Sequence, residues 1–100
     1  MNKNLKKREK IIETIKNFIE FANEGTDGIL NTSVLAELIT EDMIETKTIR
    51  KSEYSRYEKY IEKIADLMLE KNILTTKKSE YDGCTILAIN KQKNNKLAIT

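Results

Sequence analysis

The sequence predicts an α+β domain, three helices followed by a C-terminal β-hairpin, and three observations carry that prediction. Between Leu5 and Asn23, apolar residues at Ile11, Ile12, Ile15, Phe18, Ile19 and Ala22 keep the three- and four-residue spacing of one helical face. A second face of the same kind, Tyr57, Tyr60, Ile61, Ile64, Leu67 and Met68, marks a longer helix from Ser52 to about Asn72. Beyond it the pattern changes to two strand-like runs, 75–79 and 84–90, around Asp82-Gly83. Asp-Gly is favoured in tight hairpin turns because both positions accept positive φ.

In chain order, Gly25 is placed to follow the cap of the first helix. Ile29 and Leu30 form an apolar pair long enough only for a minimal first strand. Asn31, Thr32 and Ser33 are N-cap candidates for a short second helix over 33–39. In 40–51 the β-branched Thr46, Thr48 and Ile49 weaken helical propensity, so this segment reads as a helical turn and a loop. Ser52 followed by Glu53 reads as the N-cap of the third helix with an acid in its first turn. A lone hairpin is marginal in water, so the C-terminal one is expected to lean on that helix.

One hundred residues suit a single domain, 1–100, with 1–4 and 91–100 read as tails. One cysteine, Cys84, rules out an internal disulfide, and the absence of histidine rules out the usual zinc constellations and removes the commonest general base. No glycine-rich phosphate loop or convergent carboxylate pair is present, so neither enzyme activity nor a cofactor or metal is expected. Cys84 itself reads as a small apolar strand residue. No apolar run approaches membrane-spanning length, and a cytoplasmic setting is the expectation. Net charge is only +2, but it is segregated: residues 1–10 carry five bases and one acid, 11–46 one base and eight acids, 47–100 twelve bases and seven acids. Such segregation suits a fold with one side turned to a polyanion, although charge runs also form plain solvated faces.

The order of elements, with "GILNTSVLAEL" for the small strand and second helix, "SRYEKYIEKIADLMLEKNIL" for the third helix and "TTKKSEYDGCTILAIN" for the hairpin, resembles the winged helix-turn-helix superfamily. The resemblance covers about Leu5 to Lys91. It implies a winged helix whose third helix enters the DNA major groove while the hairpin, the wing, rides the flanking backbone. One departure is the link between the second and third helices, which is usually a tight turn and here reads as about a dozen residues.

The third helix supports the same reading without the family. With Ile64 set toward the core and an advance of about 100° per residue, the opposite face collects Ser52, Ser55, Arg56, Lys59 and Lys63, and farther along Asp66 and Glu70, which phosphate would repel. Insertion by the N-terminal half is therefore expected, with Arg56 able to pair bidentately with guanine and Lys59 and Lys63 able to reach guanine or phosphate. The competing reading is an ordinary exposed helix face. Lys47, Arg50 and Lys51 stand at the entrance to the helix, where a phosphate would meet free backbone amides. Lys77, Lys78, Lys91 and Lys93 give the wing a basic rim, which could equally protect a strand edge. Tyr57 and Tyr60 fall on the core side, so packing is preferred for them over base stacking.

The expected partner is double-stranded DNA, read by a transcription regulator that acts as a homodimer through helix 5–23. The alternative is a winged helix used as a protein-protein module through the acidic 11–46 surface.

Overall fold

The periodicity of the first segment becomes helix α1 (Lys3–Gly25) in the structure, a computed structural model that describes residues 3–25 and 28–90. Ile11, Ile15, Ile19 and Ala22 are buried along one side of it. Of the three N-cap candidates for the next helix, Asn31 serves: its Oδ1 accepts from the Val34 backbone N–H at 2.9 Å.

Helix α2 (Thr32–Glu45) runs six residues past Ile39, so the helical turn expected after the short helix is continuous with it, while Thr46, Thr48 and Ile49 lie beyond its end. Packing outweighs propensity here: Leu35, Ala36, Ile39 and Thr40 are buried, and Met43 packs against the core one turn later. The β-branched Thr40 fits because its hydroxyl donates to the Ala36 carbonyl one turn back, at 2.6 Å. The link to the third helix therefore shrinks from a dozen residues to a short turn, 46–50, and a 3-10 turn over Lys51–Glu53 that leads into α3 (Tyr54–Glu70). Ser52 lies inside that 3-10 turn and is not the N-cap expected of it.

Both α2 and α3 close in the same way. The Lys47 N–H donates to the Ile44 carbonyl and the Thr48 N–H to that of Met43; the Asn72 N–H donates to Leu69 and the Ile73 N–H to Met68. Each motif needs a left-handed residue, supplied by Lys47 (φ 60°) and Asn72 (φ 63°). Asparagine accepts this region readily, whereas lysine does not. Lys47→Gly is accordingly expected to raise stability by about 0.5 to 1 kcal/mol, the steric relief exceeding the entropy that glycine adds to the unfolded chain. Denaturant melts that show no gain would mean that the turn is not left-handed at Lys47.

Strands β1 (Leu74–Lys78) and β2 (Thr85–Ile89) pair antiparallel, with Thr76 opposite Leu87. Their connection is longer than the two-residue turn expected. The Ser79 N–H donates to the Cys84 carbonyl, the Gly83 N–H to the Ser79 carbonyl, and the Asp82 carboxylate accepts from the Cys84 N–H at 3.0 Å. Only Gly83 of the Asp-Gly pair adopts positive φ, 75°; Asp82 contributes through its side chain instead.

The sheet has two strands, and the minimal first strand at Ile29 and Leu30 does not form. The segment still meets β2 at the Leu87 N–H, which donates to the Ile29 carbonyl at 2.8 Å. The Leu87 carbonyl accepts from Asn23 Nδ2 at 3.1 Å, so α1 and the 28–30 segment together cover the edge of β2. Close approach is needed for this: a Cβ on Gly28 (φ 89°) would lie 2.6 Å from Ile86 Cδ1. Ile86, Leu87 and Ala88 are consequently buried, whereas β1 is exposed after Leu74.

One apolar cluster joins these elements. Ile15, Ile19, Leu35, Ile39, Ile61, Leu74 and Leu87 are almost wholly excluded from solvent, drawn from all three helices and the hairpin. No helix of the described residues is long and apolar enough to cross a membrane.

Candidate nucleic-acid interface

The outward face of α3 follows from its buried one. Ile61, Ile64, Ala65 and Met68 are buried and Tyr57 and Tyr60 half-buried, as the helical repeat requires, and Ser55, Arg56, Lys59 and Lys63 are all exposed. Lys51 and Ser52 are exposed in the 3-10 turn just ahead, Arg50 at its cap and Lys47 in the turn that leaves α2.

Glu53 organises the entrance to the helix. Its Oε1 accepts from the Arg50 backbone N–H at 2.9 Å, and its Oε2 receives Arg56 Nη2 at 2.7 Å. The bond from the Arg50 amide is the main cause that holds the Glu53 carboxyl below the usual carboxylate range. The charges of Arg56, Arg50 and Lys7 act in the same direction, against a desolvation cost. Glu53 thus holds the Arg56 side chain and the Arg50 backbone at once.

Lys7 is the member of this group that the sequence reading missed. Its Nζ lies 4.5 Å from the centroid of the Tyr57 ring and 5.8 Å from that of Tyr60, and the Arg56 guanidinium is 5.5 Å from the Tyr57 centroid. The signal was present in the spacing: Lys7, Ile11, Ile15 and Ile19 recur every four residues, so Lys7 extends the buried stripe of α1 by one turn. The Tyr57 and Tyr60 rings therefore both carry a cation, and Tyr60 packs on the core as well. Tyr54 is half-buried with its hydroxyl 3.4 Å from Glu58 Oε2; desolvation first, and Glu58 second, push that hydroxyl above its usual pKa.

The second half of α3 differs. Asp66 accepts from the Thr32 hydroxyl at 2.6 Å, which ties it to the first turn of α2, and Glu70 is exposed near the helix end. Basic side chains accordingly dominate only the first half of the outward face.

The hairpin forms a separate element. Lys77 and Lys78 are exposed on β1, and Tyr81 is exposed at the tip. Cys84 is an exposed free thiol just before β2, not the apolar strand residue expected of it. Lys91 and Lys93 lie outside the described residues. The structure thus brings Lys7 and Arg56 to the Tyr57 ring, pairs Arg56 with Glu53 next to Arg50, extends the series along α3 with Lys59 and Lys63, and carries Lys77 and Lys78 on the outer strand of the hairpin.

Chemically, such a surface offers guanidinium and ammonium donors to a polyanion: Arg56 as a planar fork, the lysines as point charges. No known protein family, curated protein or solved structure matches the chain.

Proposed function

We propose that this α+β domain is a winged helix that binds double-stranded DNA sequence-specifically as a transcription regulator. In this reading the first half of α3 lies in the major groove and the hairpin grips the adjacent backbone. The observation that carries it is the division of α3. Its buried side holds the domain together through Ile61, Ile64 and Met68, while the exposed side displays Ser55, Arg56 and Lys59 in its first half and Lys63 just past it. The short turn from α2 adds support, since it brings Lys47, Arg50, Lys51 and Ser52 to the start of the helix, where phosphate contacts would fix its register. Lys7 adds one more cation to that end.

The homodimer expected along helix 5–23 gains no support of its own, because Ile11, Ile15, Ile19 and Ala22 are used inside the fold. The proposal is therefore framed for one copy on its site.

Replacement of both Lys77 and Lys78 by alanine tests the wing. If both hold phosphates, affinity falls by similar factors for specific and random duplexes, and the slope of log affinity against log salt becomes shallower by about two units, roughly 0.9 per lost contact. Unchanged affinity and slope, with increased light scattering at high concentration, would make the two lysines guards of the exposed strand and remove the wing from the interface.

A further inference from the structure

Away from the basic face, the end of α1 and the outer side of α2 enclose an open groove. Phe18 and Phe21 line one wall and Leu38 the other. For apolar side chains the exposure is high: Phe21 is 74% exposed and Leu38 41%. Glu41, Asp42 and Glu45 line it from α2, with Glu41 and Glu45 one helical turn apart, and all three are exposed.

We infer that this groove is a docking site for a basic amphipathic helix of a partner protein. A helix laid between two helices presents apolar anchors at i, i+3, i+4 and i+7, which suits a trough walled by Phe21 and Leu38. Lysines or arginines spaced one turn apart on its flank would face Glu41 and Glu45. Charge also decides between a partner and a second copy. Segment 11–46, from which the groove is built, holds eight acids and one base. A two-fold dimer through this face would bring two copies of the same acidic patch together, because such an interface uses one surface twice. Like charges so placed oppose pairing. The site is independent of the DNA-binding reading, as none of its residues belongs to the basic face.

The probes are two synthetic helical peptides with leucines at i, i+3, i+4 and i+7 and either lysines or glutamates at the remaining positions, titrated against the full chain by fluorescence anisotropy. The lysine peptide is expected to bind at least about tenfold more tightly than the glutamate peptide, the charge pairs supplying the difference. Phe21→Ser is expected to weaken the lysine peptide by about tenfold or more, as loss of a central aromatic anchor does. E41K combined with E45K is expected to reverse the preference. All three positions are exposed, so thermal melts and duplex affinity should stay at wild-type values. Equal binding of the two peptides, or binding indifferent to Phe21→Ser, would overturn the inference. So would sedimentation showing a dimer of the chain that Phe21→Ser dissociates, since a second copy would then cover the groove.

Discussion

Replacing Ile64 by alanine is expected to cost about 2 to 5 kcal/mol of folding free energy, the range for deleting the branched side chain of a buried isoleucine. Ile64 is 3% exposed and belongs to the cluster in which α3 meets α1, α2 and the hairpin. The cavity left behind would be lined by neighbours anchored on several elements, which limits collapse around it. A domain of this size holds roughly 5 to 15 kcal/mol in total, so the loss is a large fraction of it. The melting temperature should fall by at least about 8 °C, since 1 kcal/mol corresponds to roughly 4 to 8 °C in domains of 60 to 100 residues. A melting temperature near wild type would show that Ile64 does not face the core. The assignment of Arg56, Lys59 and Lys63 to the outward side of the helix would then fail as well.

Arg56→Ala separates recognition from folding. The Arg56 side chain is 71% exposed and its partner Glu53 30% exposed. An exposed pair of this kind contributes about 0 to 1 kcal/mol, so stability should hardly change. Recognition should change more, because a bidentate arginine-guanine contact accounts for about 1 to 3 kcal/mol of discrimination against the wrong base. To make such a contact the guanidinium must turn from Glu53 toward the groove, and the modest strength of the exposed pair permits that exchange. Affinity for the preferred duplex should therefore fall by about fivefold to a hundredfold, at 1.4 kcal/mol per factor of ten, while affinity for random duplexes falls less. Equal losses on both would assign Arg56 to the phosphate backbone.

Sequence pattern revealed most where periodicity and burial coincide. The stripes of α1 and α3 fall as their spacing requires, and the exposed positions of α3 follow from them. In 40–51 the helical turn proves continuous with α2, and two features hide that from the sequence: Thr40 is buried with its hydroxyl satisfied inside the helix, and the left-handed residue that ends α2 is a lysine, which carries no turn signal of its own. Ile29 was read as part of a strand, but its partner on β2 is a single residue, Leu87, and the other half of that residue's bonding comes from the Asn23 side chain on a helix. Long-range side-chain bonds of that kind leave no periodic trace. Neither does the approach of Lys7 to Tyr57, which depends on how α1 crosses α3, although the four-residue spacing sets Lys7 in line with Ile11, Ile15 and Ile19.

The central claim is that the outward face of α3 reads a DNA sequence, and selection from a random duplex pool followed by sequencing tests it most directly. The account predicts enrichment of a short motif by the wild-type chain, with preference relaxed at one position of that motif by Arg56→Ala. Recovery of a pool indistinguishable from the input, from wild-type protein that melts as a folded domain, would contradict it.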